Sequence, residues 1–348
     1  MTTDAEEGKP MEQVDVVGVM GTCAPERRNY AAEAARTASR TLFTARRLDM
    51  SPDPVDEAQA LAPWADTASG AVIEFPATVS PTEIIGRFAH PASPTRLIGL
   101  TCVVDAMHLI DDLLREDHIV RTSRTGEKER RARSLVTATQ IEYASTIALV
   151  GWESLPTPEL SIAMAVVSAL SPRARIRLHP APMPAPEIPT AFTAVQNRPG
   201  WIGVLSDDFA PHMTDPRVST VHYAALRPFH PTRLSTLLDD HVESGRHGMI
   251  LRSAGFCRLA TRPGITAHWE HVGTVLSLPP AATDDELGDD EELLTAGQDI
   301  VFFGLDIDRA GLFAALDDAC LTDDEFAAGP TAWRAFEDPF PAWEGVAG

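Results

Sequence analysis

Paired cysteines, long apolar runs and an excess of basic residues are all missing from this chain, and each absence removes a class of protein. The four cysteines, Cys23, Cys102, Cys257 and Cys320, lie far apart and form no C-x-x-C pair. Neither a disulfide framework nor a thiolate zinc knuckle is written into such spacing. Three of them sit in apolar surroundings, where a buried free thiol is the ordinary reading. No run approaches the roughly 20 apolar residues of a membrane span. The opening MTTDAEEGKP is acidic and polar, unlike a signal peptide. The expectation is a soluble cytoplasmic protein with no membrane association. Lys and Arg number 29 against 50 Asp and Glu, for a net charge of −21, so direct DNA binding is disfavoured by long-range repulsion. Neither Gly-x-Gly-x-x-Gly nor a nucleophile elbow occurs, and no catalytic residue is assigned.

What is present is enough chain for two domains: 348 residues, 44% of them hydrophobic. Residues 1–12 read as a disordered tail. Short apolar, β-branched runs at 14–20, 71–75, 96–105, 146–150 and 173–178 read as buried strands. Between them, 26–48, 81–89, 106–116, 134–144 and 161–170 have helical composition, and Ser80 and Pro81 mark a helix start. Alternation of this kind predicts a mostly parallel α/β sheet with helices on both faces over residues 13–178. Six prolines between 180 and 199 make 179–217 an interdomain linker. From 218 to 344, strands at 218–226, 249–260, 266–272, 275–278 and 298–306, with helices at 231–243 and 309–319, predict a smaller α+β domain. Local charge is uneven. Arg121, Arg124, Lys128, Arg130, Arg131 and Arg133 make a basic patch, and 284–292 is an acidic run that reads as an exposed loop.

The second half carries the most specific pattern. It runs Arg227-Pro228-Phe229-His230-Pro231, Leu251-Arg252-Ser253-Ala254-Gly255-Phe256, Leu259-Ala260-Thr261-Arg262-Pro263, Leu321-Thr322-Asp323-Asp324-Glu325, Trp333 and Asp338-Pro339-Phe340-Pro341-Ala342-Trp343. In order and spacing this resembles the C-terminal domain of the CobW-like proteins, P-loop GTPases that act as metal-insertion chaperones. The first half resembles the GTPase domain of the same family more weakly, through Val103-Val104-Asp105-Ala106, Gln140-Ile141-Glu142-Tyr143-Ala144 and 170–176. The resemblance implies a P-loop-NTPase-like fold and, for the family, GTP, magnesium and zinc.

The residues that would do that chemistry are altered. A phosphate loop G-x-x-x-x-G-K-[ST] beginning at Gly18 would place its glycine, lysine and hydroxyl at 23, 24 and 25, which hold Cys23, Ala24 and Pro25; Gly21 and Thr22 do not restore the spacing. Loss of the lysine charge and the magnesium hydroxyl removes contacts of about 1.5–3 kcal/mol each. Arg27 and Arg28 read as solvated, or as partial neutralisers of an anion at the helix start. Glu74 stands where the family's second switch has its acid, followed by the stiff Phe75-Pro76-Ala77. Where the family reads N-K-x-D, this chain reads Val150-Gly151-Trp152-Glu153. The family's C-x-C-C metal cluster has no counterpart, since no cysteine lies between 24 and 101. Gly18, Gly21, Thr22, Cys23, Glu74, Asp105 and Glu153 therefore mark a degenerate nucleotide site.

No metal ligand set is assigned. His268 and His271, three apart on a strand, point to opposite faces. Asp105, His108, Asp111 and Asp112 read as an exposed helix face, with a weak divalent site as the alternative. No cofactor is expected. The functional reading is a non-catalytic CobW-like protein that binds a protein partner through its C-terminal domain, with Arg227, Phe229, His230, Arg252, Trp333 and Trp343 as recognition candidates. The resemblance extends to a high-GC branch linked to zinc starvation and ribosome hibernation, implying a basic, ribosome-associated or zinc-handling partner. The alternative is a GTP-dependent zinc metallochaperone with an unconventional nucleotide site.

Overall fold

The computed structural model describes residues 13–90, 93–122, 128–180, 199–284 and 297–343. The strands of the first half are β1 (Val14–Met20), β2 (Thr41–Phe43), β3 (Ala71–Glu74), β4 (Thr95–Asp105), β5 (His118–Thr122), β6 (Lys128–Ala132), β7 (Thr146–Val150) and β8 (Arg175–Leu178). Six of them form one wholly parallel sheet in the order β2-β3-β1-β4-β7-β8. The side-chain alternation along each strand divides the core into two layers. Val19, Val72, Val103 and Ala148 face the helix Ala24–Thr37, meeting Tyr30, Ala31 and Ala35. Val16, Ala71, Ile73, Cys102, Val104, Ile147 and Leu149 face the other way, onto helices that include Pro81–Phe88, Arg133–Glu142 and Thr157–Leu170. Helices thus cover both faces, as the parallel arrangement requires.

The second half holds β9 (Val218–Ala225), β10 (Met249–Cys257), β11 (Ile265–Val272), β12 (Val275–Ser277), β13 (Pro280–Thr283) and β14 (Gln298–Leu305). They make an antiparallel sheet ordered β12-β11-β10-β14-β9, with β13 also paired to β11. One face, through Ile250, Cys257, Trp269, Ile300 and Phe302, packs on the sheet's own helices Pro231–Leu237 and Arg309–Ala319. The other face, through Leu251, Ala254, Val272, Val301 and Phe303, joins the apolar cluster of the first sheet. Helices of the first half are therefore sandwiched between two sheets.

The strand predictions hold for β1, β3, β4, β7 and β8, while four features differ. Residues 26–48 are not one helix: Ala24–Thr37 is followed by β2 and a short helix Ala45–Leu48. Part of the basic patch lies on a two-stranded ribbon, β5 with β6. The span 179–217 is not all linker, because helix Gly200–Leu205 packs against β10 and β14 through residues such as Trp201. The helix Pro231–Leu237 continues as a wider π turn, Leu238–Glu243. The predicted tail 1–12, the acidic run from 285 onward, Arg124 and most of the proline-rich stretch lie outside the described residues. Among the described residues no helix is long and apolar enough to cross a membrane.

Candidate functional site

Parallel sheets of this kind gather their functional groups at the carboxyl ends of the strands. Here β1 ends at Met20, β3 at Glu74, β4 at Asp105 and β7 at Val150. Gly18 lies inside β1, paired with Ile73 and Leu100, and is not part of a loop. Only Gly21, Thr22 and Cys23 separate β1 from the helix that starts at Ala24. Gly21 has φ +150°, and a Cβ there would stand 2.6 Å from the Val103 carbonyl oxygen. The turn is pressed against β4 at Gly21.

Arg27 fills the space behind this turn. Its side chain is buried; Nη1 donates to the Gly21 carbonyl, and Nε donates to Glu74 Oε1 at 3.2 Å. Glu74 Oε2 accepts from the Ala45 amide at 3.1 Å. The acid expected at the second switch is thus an internal strut between three elements. Arg27 is not a solvated side chain, which corrects the sequence reading; Arg28 is exposed. Phe75, fully buried, packs edge-on against Phe88 with centroids 6.0 Å apart, so the following segment is pinned to the core.

In front of the turn lies an open cavity of about 320 Å³, lined by Thr22, Cys23, Glu26, Asp105, His108, Asp112, Arg115 and Arg133. The Cys23 thiol donates to a Glu26 carboxylate oxygen. Partial burial, followed by the hydrogen bond and charge of Glu26 and the nearby Asp105, pushes that thiol up to about 12. Asp105 Oδ1 accepts from the Met107 amide at 3.0 Å, and Oδ2 pairs with His108 Nδ1 at 2.9 Å. That carboxylate holds His108 above the ordinary imidazole range. Burial pushes Asp112 up from the usual carboxylate range, against the opposing pull of Arg115. Arg115 and Arg133 are both tied to Asp117, at 2.9 and 2.7 Å.

A nucleotide and its magnesium do not fit these residues. A triphosphate needs a run of N–H donors and a lysine. This junction offers a three-residue turn, a proline without an N–H at 25, and an arginine turned inward. Three carboxylates face the cavity. Glu153 is exposed on the turn after β7 and away from this cluster of side chains, although Gly151 brings that turn close to Asp105. The structure brings Thr22, Cys23 and Asp105 together, adds Glu26 and His108, and leaves Gly18, Glu74 and Glu153 in other roles. Ligand atoms of Cys23, Glu26 and Asp105 all lie within 4.8 Å of one another.

A second cavity, about 310 Å³, sits between the two sheets. Its polar lining includes Glu142, Tyr143, Arg252, His268 and Glu270. Burial lowers the pKa of His268 from the ordinary imidazole range, and its Nε2 has no hydrogen-bond partner among the described residues. Sequence reading missed this cavity because its walls come from both halves. His268 faces Trp201 there, while His271 turns to Ser253 on the other side; the opposed orientation inferred from their spacing is observed.

The six recognition candidates divide. Phe229, Arg252 and Trp333 are buried and act in packing, which corrects their assignment to a surface. Arg227 is exposed and pairs with Asp323, His230 stacks on Phe336 with centroids 4.5 Å apart, and Trp343 is half-buried under Arg262.

A parallel sheet in this strand order, joined to a five-stranded antiparallel sheet with its own helices, defines a P-loop-NTPase-like domain followed by an α+β domain. Residues 218–320 match the family model of the cobalamin synthesis protein cobW C-terminal domain, so the second half carries a CobW-type C-terminal domain. It is 22% identical over 281 residues to a zinc-regulated GTPase metalloprotein activator 1 of Dictyostelium discoideum, covering 74% of this chain and 59% of that protein. It is 28% identical over 275 residues to a zinc chaperone of Mycobacterium tuberculosis, covering 72% and 63%. The chain spans about three fifths of the length of these curated relatives. The Zn(II)-bound YjiA GTPase of E. coli aligns over 89% of this chain and 99% of its own, with 12% identity and a TM-score of 0.33.

Proposed function

We propose that this chain is a CobW-like protein of zinc handling that works in the cytoplasm by binding a protein partner and does not turn over a nucleotide. The observation that carries the reading is the β1–helix junction. Cys23, Ala24 and Pro25 stand where phosphate and magnesium would be gripped, and Arg27, buried behind the turn, is committed to Gly21 and Glu74. The zinc connection draws on relatives described as a zinc chaperone and a zinc-regulated activator. A net charge of −21 favours a basic partner, such as a ribosome-associated protein. The P-loop-NTPase-like domain then serves as a scaffold for the second sheet.

Isothermal titration with GTP and ATP, each with magnesium, tests the reading. No heat with either nucleotide is expected. Micromolar binding would replace it with a GTP-dependent metallochaperone. Affinity capture from zinc-replete and zinc-depleted cells tests the partner claim: a basic or zinc-handling protein enriched under one condition is expected, and the same background under both contradicts it.

A further inference from the structure

We propose that Cys23, Glu26 and Asp105 bind one zinc ion at the strand-to-helix junction, with one coordination position open to the cavity. This deepens the reading above and rests on it, because a nucleotide and this ion would compete for the same space.

The three ligand groups come from separate pieces of chain. Cys23 closes the turn after β1, Glu26 lies in the first turn of the following helix, and Asp105 ends β4. Parallel pairing of Met20 with Cys102 brings those pieces side by side. The sulfur and one oxygen of each carboxylate lie within 4.8 Å of one another. A tetrahedral zinc, with Zn–S near 2.3 Å and Zn–O near 2.0–2.2 Å, holds its ligands about 3.3–3.7 Å apart. Reaching that spacing takes side-chain rotations at a half-exposed site, which part the hydrogen-bonded Cys23 and Glu26 and draw Asp105 in.

The present hydrogen bonding is that of such a site filled by a proton. The Cys23 thiol donates to Glu26; on metal binding the S–H bond breaks, the S–Zn bond forms and the proton leaves to solvent. One thiolate and two carboxylates carry three negative charges; the same cavity is lined by Arg115 and Arg133, both also paired with Asp117, and by the further carboxylate of Asp112. The sulfur favours zinc over magnesium, which demands an octahedron of oxygens. His108, at 2.9 Å from Asp105 Oδ2, is a positioning residue that orients that carboxylate. Three protein ligands do not close a structural zinc site. An ion held this way keeps a water that a partner's own ligand can displace.

The test is titration of the metal-free full chain with Co(II) and Zn(II). One equivalent of cobalt is expected to give thiolate-to-cobalt charge-transfer absorption, displaced by zinc. Cys23→Ser is expected to abolish the band, Asp105→Asn to weaken zinc binding at least about tenfold, and Cys257→Ala to leave both unchanged. Thermal unfolding guards against misfolding: metal-free Cys23→Ser and Asp105→Asn should melt as the wild type does but lose the zinc-dependent rise. Absence of the band, or a band and zinc affinity that survive Cys23→Ser, overturns the proposal. GTP titrated into the same preparation separates the claims. Nucleotide binding overturns the functional reading, whereas the absence of both ligands overturns the zinc site alone.

Discussion

Arg252 of β10 and Glu142, the last residue of helix Arg133–Glu142, form an ion pair between the second sheet and a helix of the first half, with Nε–Oε1 at 2.8 Å and Nη2–Oε2 at 3.3 Å. Both side chains are at most 2% exposed. The guanidinium also donates to the Ser253 carbonyl at 3.0 Å. A residue within a run that resembles a family signature thus acts as a joint between domains and not as a contact for a partner. Breaking a buried pair leaves one charge without compensation, at a cost of about 3–5 kcal/mol. Arg252→Met should lower stability by that amount in urea unfolding. The double variant Arg252→Met/Glu142→Leu should recover most of it, since no orphan charge remains.

His271 makes stability depend on pH. It is buried, and burial, followed by the nearby Arg252 charge, lowers its pKa from 6.5 to about 4. Ser253 Oγ accepts from Trp269 Nε1 at 2.8 Å and is hydrogen-bonded to His271 Nδ1 at 3.1 Å. A folded pKa below the unfolded one gives stability that is full above pH 6.5 and is lost as pH falls toward 4. The loss from this group is about 3 kcal/mol. Urea midpoints at pH 7 and pH 4.5 should differ less in His271→Gln than in the wild type.

Putting the lost residues back should not restore nucleotide binding. In Ala24→Lys/Pro25→Ser the junction remains a three-residue turn held by Arg27, and Glu26, Asp105 and Asp112 still face the incoming phosphates. Fluorescent GTP analogues should bind this variant no better than the parent. A gain to micromolar affinity would show that the turn can open.

The C-terminal strap is held by a small set of contacts. Arg262 stacks over Trp343 at 4.3 Å and binds Asp338 at 2.9 and 3.1 Å, while Trp343 Nε1 donates to the Leu278 carbonyl at 2.6 Å. Trp343→Ala removes a cation–π contact and a hydrogen bond, about 1–2 kcal/mol together. The melting temperature should fall slightly, and limited proteolysis should cut the tail sooner.

The parallel sheet was legible because β1, β3, β4 and β7 are apolar runs that only a doubly covered sheet can bury. β2 was not, since Thr41–Phe43 is a three-residue edge strand whose identity comes from pairing with β3 and not from its own composition. The β5–β6 ribbon was hidden for a related reason: Lys128–Ala132 is mostly charged and exposed, with no apolar period to read. At the site, the departure from the phosphate-loop pattern was visible in Cys23, Ala24 and Pro25. The inward turn of Arg27 was not, because Glu74 and Gly21 meet it only through the sheet register. Cys23 and Glu26, three apart at a helix start, were the local hint of a ligand pair; Asp105 joins them only through the pairing of β1 with β4.

The central claim is that the skeleton of a phosphate-binding domain persists here without its grip. Calorimetric titration of the full chain with GTP and magnesium tests it most directly. The account predicts no saturable heat up to millimolar nucleotide. Stoichiometric binding at micromolar affinity, lost when Thr22 or Cys23 is replaced by a bulkier residue, would contradict it.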